Sequence, residues 1–425
     1  MIFPFLTGVL VGQDSGLTLP AAIRQAWDRQ PGLLAGEAQV EQARAELSAA
    51  KAARLPTLQA DAGWRRTDEP LMAFGTKLDQ GRITAADFDP ARLNSPAAIS
   101  GVGASLTLRQ PLYAGGRIQA GMEAAGNLAS AAEARQARRR QEVAAAVVQA
   151  YFGVEAAGQG AAYAEDALQH AQAVEFFAAA RTAQGLMLKA DQYRAQAFRA
   201  QAEAGLAAAR QRESEARNAL ALLIGSSPAT LATPLEAGTL QDRTTGVRSD
   251  LEAARLDARA AQAGVRAEGG ALKPEVGVEL GWGAARADLG GNGATWTNIS
   301  VGARWTFSYA QTRKVQAARA AAHAAEEGYR WQAAQVDRER ADVAASLTSA
   351  QARVKAALEA EAAAEEARRL NKARFEAGLL PLTDRLDAEA GLAGARALHL
   401  SSLLELRVAE ARQALAEGRP VEGVQ

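Results

Sequence analysis

Cysteine is missing altogether from the 425 residues, and histidine and methionine occur only three and four times. The first absence excludes structural disulfides, thiol catalysis, thiolate metal sites and a lipid anchor attached through an N-terminal cysteine. With so few histidines and methionines, a dedicated soft-metal site has little to be built from, and no metal or cofactor is expected. Charge of one sign is also lacking: 48 basic residues balance 48 acidic ones, and no basic block is interleaved with aromatics. Nucleic acid is therefore excluded as a partner. No stretch approaches the ~20 apolar residues of a spanning helix, so any membrane crossing must be made another way. Sites of chemistry are equally thin. The "YAGGR" turn at 113–117 lacks the lysine and Ser/Thr of a nucleotide loop. His170, His323 and His399 are far apart in sequence, and no nucleophile, base and positioned donor come together, so the chain is not read as an enzyme.

What the chain has is alanine, which supplies most of its 48% hydrophobic content. Long runs of Ala, Glu, Arg, Gln and Leu are the composition of extended helices rather than of a large globular core. Two such runs, from about Arg117 to Gln184 and from Thr312 to Ala377, are long enough to reach about 100 Å at 1.5 Å per residue. Val143, Val147, Ala150 and Val154 mark a buried stripe on the first, and Leu400, Leu404, Val408, Ala411 and Leu415 mark another near the end of the chain. The fold class that follows is mixed but mainly α, with four strands per chain and an internal twofold repeat. Residues 1–16 read either as the remnant of an export signal or as a misassigned start, because the apolar segment lacks preceding basic residues. Residues 17–224 form the first repeat, 225–249 a connector rich in Ser, Pro, Thr and Gly, 250–417 the second repeat and 418–425 a tail.

Each repeat runs through the same events. A helical segment (17 to about 53, and 250 to about 271) reaches a proline, Pro56 or Pro274, and gives way to alternation of period two. Leu58, Ala60, Ala62 and Trp64 oppose Gln59, Asp61, Gly63 and Arg65; Val102, Ala104, Leu106 and Leu108 oppose Gly103, Ser105, Thr107 and Arg109. In the second repeat the alternating runs are Val276 to Trp282 and Ile299 to Phe307. Residues 67–100 read as a polar loop, with Phe74 and Phe88 either anchoring it or lying in a disordered segment.

A four-stranded sheet with one apolar face can pack that face on helices. Three features favour a face in lipid instead. The other face carries charges, at Asp61, Arg65, Arg109, Glu279 and Arg304. Four of the six tryptophans sit in or beside the strands, where Trp64, Trp282 and Trp305, with Phe307, Tyr113 and Tyr309, suit the aromatic girdles of a membrane barrel. Strands of about ten residues fit a tilted crossing. An open edge is not tolerable in lipid, and the smallest barrels need about eight strands, so closure demands further copies of the chain.

The two kinds of pattern meet twice at Tyr-Ala-x-x-Arg, Tyr113 to Arg117 and Tyr309 to Arg313. Pro111 suits a strand terminus there, Gly115 and Gly116 a bend, and the arginine either a specific contact or plain solvation. Each long helical run is interrupted once, at "RTAQGLMLKADQYRAQA" from Arg181 and "RFEAGLLPLTDRLDAEA" from Arg374, which align without gaps and predict tight helical hairpins.

"LTLPAAIRQAW" at Leu17, "ARLPTLQADAGW" at Ala53, "LRQPLYAGGR" at Leu108, "LLIG" at Leu222 and "RFEAGLLPLTDRLDAEAGLAGAR" at Arg374 together resemble the TolC family of outer-membrane efflux and secretion channels. The resemblance covers Leu17 to Glu417. It implies a homotrimer whose twelve strands close a transmembrane barrel in outer-membrane lipid and whose helices form an α-helical barrel across the periplasm. It also implies partners, a periplasmic adaptor and an inner-membrane pump, for a passive exit duct of a tripartite efflux pump or type I secretion system. By the same resemblance Asp384 and Asp387, with Asp191 in the first hairpin, fall on the carboxylates that line the narrowed periplasmic entrance. Capping of a helix start by Asp384 is the competing reading. Phe375 and Leu380 stand where the family's gates carry a tyrosine and an arginine, which puts a hydrogen-bonded lock in doubt. The alternative for the whole chain is a periplasmic coiled-coil adaptor or structural helical protein without a barrel.

Overall fold

The computed structural model describes residues 16–228, 230–236, 246–291 and 293–421. The segment read as a signal remnant lies outside them except for Gly16, as do parts of the connector and the last four residues. The described chain divides into two units. One comprises the described residues within 16–40, 133–253 and 330–421, the other those within 41–132 and 254–329.

The second unit holds the sheet. Its strands β1 (Thr57–Thr67), β2 (Ile99–Ala114), β3 (Glu275–Arg286) and β4 (Gly293–Arg304) pair antiparallel in the order β1-β2-β3-β4. The register sets Leu58 beside Leu108, Leu108 beside Leu280 and Leu280 beside Ile299, a single apolar row across all four strands. Two positions along, Ala60, Leu106, Trp282 and Thr297 form the next row. The alternation is as the sequence predicts, but the first strand pair is longer. β2 runs through Pro111 instead of ending there: the register shifts between Pro111 and Tyr113, so that Leu112 is inserted as a bulge. Proline has no N–H to give the ladder, and a bulge tolerates that loss inside a strand. Conversely β4 stops at Arg304, short of the alternation that continues in sequence to Phe307.

The segment 67–100 is not a plain loop. It folds into α3 (Pro70–Asp79), a 3-10 turn (Ala85–Phe88) and α4 (Pro90–Asn94), with Phe74 and Phe88 edge to face at 5.8 Å. Gln80, 2% exposed, donates to the carbonyls of Ser100 at 2.8 Å and Arg286 at 3.3 Å, which ties the segment to β2 and β3. Hydrogen bonding from the Lys77 ammonium, then from Thr84, holds the Asp87 carboxyl down to about 2.

The first helical run likewise divides, into α1 (Leu19–Arg29) and α2 (Pro31–Ala52). Pro31 is the cause. It drives the preceding residue out of the helical region, and Gln30 sits at φ −73°, ψ 117°.

The remaining helices are α5 (Arg117–Ala183), α6 (Lys189–Ile224), α7 (Ser249–Gly270), α8 (Tyr309–Glu376) and α9 (Leu382–Glu417). In the first unit, α1, α5, α6 and α9 enclose a core of Leu19, Ile23, Val147, Phe152, Leu220 and Leu403. The stripe on α5 is centred on Ala144, Val147, Val148 and Tyr151, so Val143 and Ala150 lie at its margins. Tyr151 is fully buried and serves two chain segments at once. Its hydroxyl donates to the Leu17 carbonyl at 2.6 Å and accepts the N–H groups of Ala232 at 3.1 Å and Thr233 at 2.8 Å. Arg407, 4% exposed, holds the Leu235 carbonyl at 2.8 Å and pairs with Glu410 at 2.8 Å. The segment 230–236 read as part of a connector is therefore pinned to the core.

Replacing Tyr151 by Phe keeps the ring but takes from the Thr233 N–H its partner, while Ala232 and the Leu17 carbonyl keep only the 3.0 Å hydrogen bond they share. Tyr151→Phe should lower unfolding stability by about 1–3 kcal/mol, read as a fall in the urea midpoint of the helical signal.

Candidate functional site

Two places on the chain carry the expected functional residues, one in each unit. In the first unit the long helices turn back on themselves. Gly185 and Gly378 take positive φ of 72° and 78° after α5 and α8, a conformation open to glycine without steric cost. The following N–H groups close each end in the same way: Leu186 reaches the Arg181 carbonyl and Leu379 reaches that of Arg374, both at 2.9 Å. Identical caps at matched positions explain why the two interruptions align.

Under the turns, Val174, Ala178, Ala195, Phe375 and Leu382 form a small buried cluster, with Phe177, Met187, Leu380 and Leu386 packed on it. Phe375 is 8% exposed and meets Phe177 at 5.3 Å between ring centroids, while the Arg181 guanidinium lies 5.0 Å over the Phe177 ring. Phe375 and Leu380, the two departures from the family pattern, are thus the apolar substance of this cluster. Sequence reading did not pick out Phe177 or Val174, which are spaced like any helical stripe.

Asp384 and Asp387 lie in the first two turns of α9 and are exposed, with no ion pair among the described residues. Asp384 stands in the first turn of α9, where the helix dipole favours an acid, but it does not cap: the N-cap position is Pro381, and the Asp384 carboxylate accepts from the Thr383 hydroxyl at 3.2 Å. Asp191 differs. It is half-buried and paired with Arg194 at 2.9 Å on its own helix. Between the two aspartates, Arg385 is buried against Glu389, so that face of α9 is internally neutralised.

In the second unit the polar face of the sheet carries Asp61, Arg65, Arg109, Glu279 and Arg304, interleaved with Gly63, Gly103 and Gly281. Arg109 pairs with Glu279 across β2 and β3 at 3.0 Å. Residues from all four strands, Thr57 and Arg304 at the two edges included, border one cavity of about 820 Å³. The sheet therefore curls. Trp296 falls on the polar face and lies over Gly283, so it does not belong to an outer girdle.

The apolar face is open: Leu58 is 65% exposed and Ile299 77%. Trp64 and Trp282 stand toward one end of it. Tyr113 shares the register position of Val276 at the other end, and Trp305, Phe307 and Tyr309 continue from β4 as a string of aromatic contacts at 6.5 and 5.2 Å. From Trp282 to the level of Trp305 is eight residues, roughly 27 Å along the strands, or about 20 Å once a barrel tilt is allowed for.

The repeated seam has diverged. Arg117 pairs with Glu275 at the start of β3 at 2.9 Å, whereas Arg313 reaches only Gln316 on its own helix at 2.8 Å. Gly115, at φ 64°, packs so closely on Gly270 that a Cβ would lie 2.1 Å from its carbonyl oxygen. Trp305 and Gln311 bind the same region, at the carbonyls of Leu272 and Glu268, each at 3.0 Å. Among the described residues no three His, Cys, Asp or Glu side chains are grouped to hold a metal ion, and no helix is long and apolar enough to cross a membrane.

The profile of the outer membrane efflux protein family matches residues 22–226 and 242–418. Among solved structures the chain is similar to a membrane protein from Pseudomonas aeruginosa, with 23% identity over 97% of this chain and 93% of that one and a TM-score of 0.81. It is similar to the outer membrane protein VceC of Vibrio cholerae, with 22% identity over 95% and 96% of the two chains and a TM-score of 0.78. The open state of the Neisseria gonorrhoeae MtrE outer membrane channel gives 22%, 96%, 90% and 0.80 in the same order. None of the curated proteins matches it in sequence.

The hairpin cluster makes its own prediction. Phe375→Ala should cost about 3–5 kcal/mol of local packing. Limited proteolysis should then cut at residues 185–188 and 378–381 several-fold faster, with cleavage in the sheet unchanged.

Proposed function

The chain belongs to the outer membrane efflux protein family, and from that premise we propose that three copies assemble into a passive exit duct in the outer membrane. It would be served by an inner-membrane transporter through a periplasmic adaptor. The observation that carries this reading is the sheet: four curled strands with an exposed apolar face, a charged concave face and two free edges. β1 and β4, eleven and twelve residues long, are matched in length. Neither carries the proline or lysine that commonly blunts an edge. Pairing β4 of one copy with β1 of the next satisfies both edges in lipid. Eight strands from two copies would enclose a space that side chains fill, whereas twelve leave a water path for the charged face.

In this assembly the exposed Asp384 and Asp387 of each chain contribute to a ring of six carboxylates at the periplasmic entrance. Their three-residue spacing places both on one side of α9. Asp191, neutralised by Arg194, adds less to the ring.

Two outcomes test this reading. A charge on the lipid face should be costly: Ile299→Arg should destabilise the folded barrel by roughly 2–4 kcal/mol, read as loss of the slow-migrating, heat-modifiable trimer from membranes. Purified wild-type trimer should conduct ions in planar bilayers and be blocked by multivalent cations. Asp384→Ala with Asp387→Ala should weaken that block roughly tenfold. A protein that stays monomeric in buffer without detergent overturns the duct, and unchanged block in the double variant overturns the ring alone.

A further inference from the structure

Away from the hairpins and the sheet, α5, α8 and α9 meet at a cluster of charged and titratable groups that bring together two of the three histidines of the chain. On α9, His399 Nδ1 lies 2.6 Å from Glu361 of α8. On α5, His170 Nε2 lies between two unlike neighbours, 3.3 Å from Asp166 on its own helix and 3.4 Å from the Arg368 guanidinium of α8. Arg396 of α9 joins the two halves: it binds Asp166 at 2.8 Å, approaches Glu361 at 3.7 Å and Glu365 at 3.9 Å, and covers the Tyr163 ring at 4.9 Å. From α6, Arg212 lines the same cavity of about 620 Å³, as does Glu389 of α9, which is engaged with Arg385. Glu361, Arg396 and His399 are each less than one-fifth exposed, so water screens them weakly. Burial, then the Glu361 charge, pushes the Tyr163 hydroxyl above its ordinary range.

The single nitrogen of His170 cannot serve both of its neighbours. To receive the Arg368 N–H it must be bare, which requires a neutral imidazole protonated on Nδ1. To donate to Asp166 it must carry a proton, and a doubly protonated ring then repels the Arg368 charge. Among the described residues Arg368 has no other hydrogen bond or ion pair, and its Nε is already buried without a partner. His399 answers the same proton in the opposite sense. Protonated, it turns its contact with Glu361 into a full ion pair and ties α9 to α8 more strongly.

We propose that this cluster is a proton-operated exchange of helix contacts, in which acid releases α8 from α5 at His170 while fastening α8 to α9 at His399. It does not depend on the duct reading, because every group involved belongs to one chain. If three chains do surround a passage, the exchange shifts the helices of its wall.

The absence of cysteine makes the test direct, since two introduced thiols are the only labelling sites. Spin labels at Gln172→Cys and Ala362→Cys report the separation of α5 from α8, and labels at Ala362→Cys and Leu398→Cys that of α8 from α9. All of these positions are exposed. Labelled full-length chain, diluted with unlabelled chain, is frozen across pH 8 to 5 for pulsed dipolar spectroscopy. The first distance should lengthen or broaden by on the order of 1–2 Å in acid, with the second becoming narrower. His170→Gln should abolish the first change and keep the second, and His399→Gln should do the reverse. Distances that do not respond to pH in the wild type, or responses that survive both substitutions, overturn the proposal. Failure of trimerisation leaves these intrachain distances measurable and counts against the duct alone.

Discussion

Unmet backbone hydrogen bonds at the two edges of one sheet govern the architecture. About half of the N–H and C=O groups on an edge strand point away from the sheet, and in hydrocarbon each unpaired group costs several kcal/mol. Water could satisfy them, but water does not suit the other property of this sheet. Leu58, Leu108, Leu280 and Ile299 lie in one row across its full width, and no helix of the second unit hides that row. A surface that wants oil and edges that cannot be left open in oil are compatible only when the edges meet other strands. The glycines and charges of the opposite face, curled around a common cavity, indicate which side then holds water.

The junctions between strand and helix follow from that demand. A chain leaving a barrel wall must turn sharply while its last strand groups remain satisfied. At the first seam the bulge at Leu112 lets β2 pass its proline, and Gly115, the first of the glycine pair that follows, packs against the end of α7. At the second seam the tryptophan and glutamine side chains hold carbonyls of the same segment. Both seams therefore converge on residues 268–275, and only the first needs the Arg117 to Glu275 ion pair. The repeated Tyr-Ala-x-x-Arg motif is a shared backbone plan rather than a shared arginine contact.

Much of this was legible because it rests on periodicity. Four alternating runs gave four strands, and the paired interruptions gave two hairpins with matching glycine caps. The resemblance to outer-membrane efflux channels, read from five short stretches and their order, agrees with the family match over most of the chain. What escaped was decided by partners distant in sequence. Nothing local marks Tyr151 as the residue that fastens both the chain start and the 230–236 segment, since an aromatic on a helical stripe reads as core. Arg407 occupies a stripe position because the Leu235 carbonyl, far away along the chain, needs a donor. Helices within 67–100 were hidden by a composition of Gly, Pro and polar residues, and depend on the Gln80 contacts for their anchorage. His170 and His399 looked isolated because 228 residues of chain lie between what Arg396 brings together.

At the hairpins, restraint and charge are carried by different residues. Dispersion and burial hold Phe375, Phe177 and Leu382, and neither is screened by salt. Asp384 and Asp387 project from the same turns but take no part in that packing, so their field is open to counter-ions over a Debye length of about 8 Å. A lock made of tyrosine and arginine would couple the two, because any ion that altered the charge balance would also loosen the closure. In the duct we propose, with phenylalanine and leucine in those places, cations would gather at the carboxylates without drawing the turns apart. Release in that proposed duct would then come from a force on the helices themselves, applied by a partner at the turns or by rearrangement higher along α8 and α9.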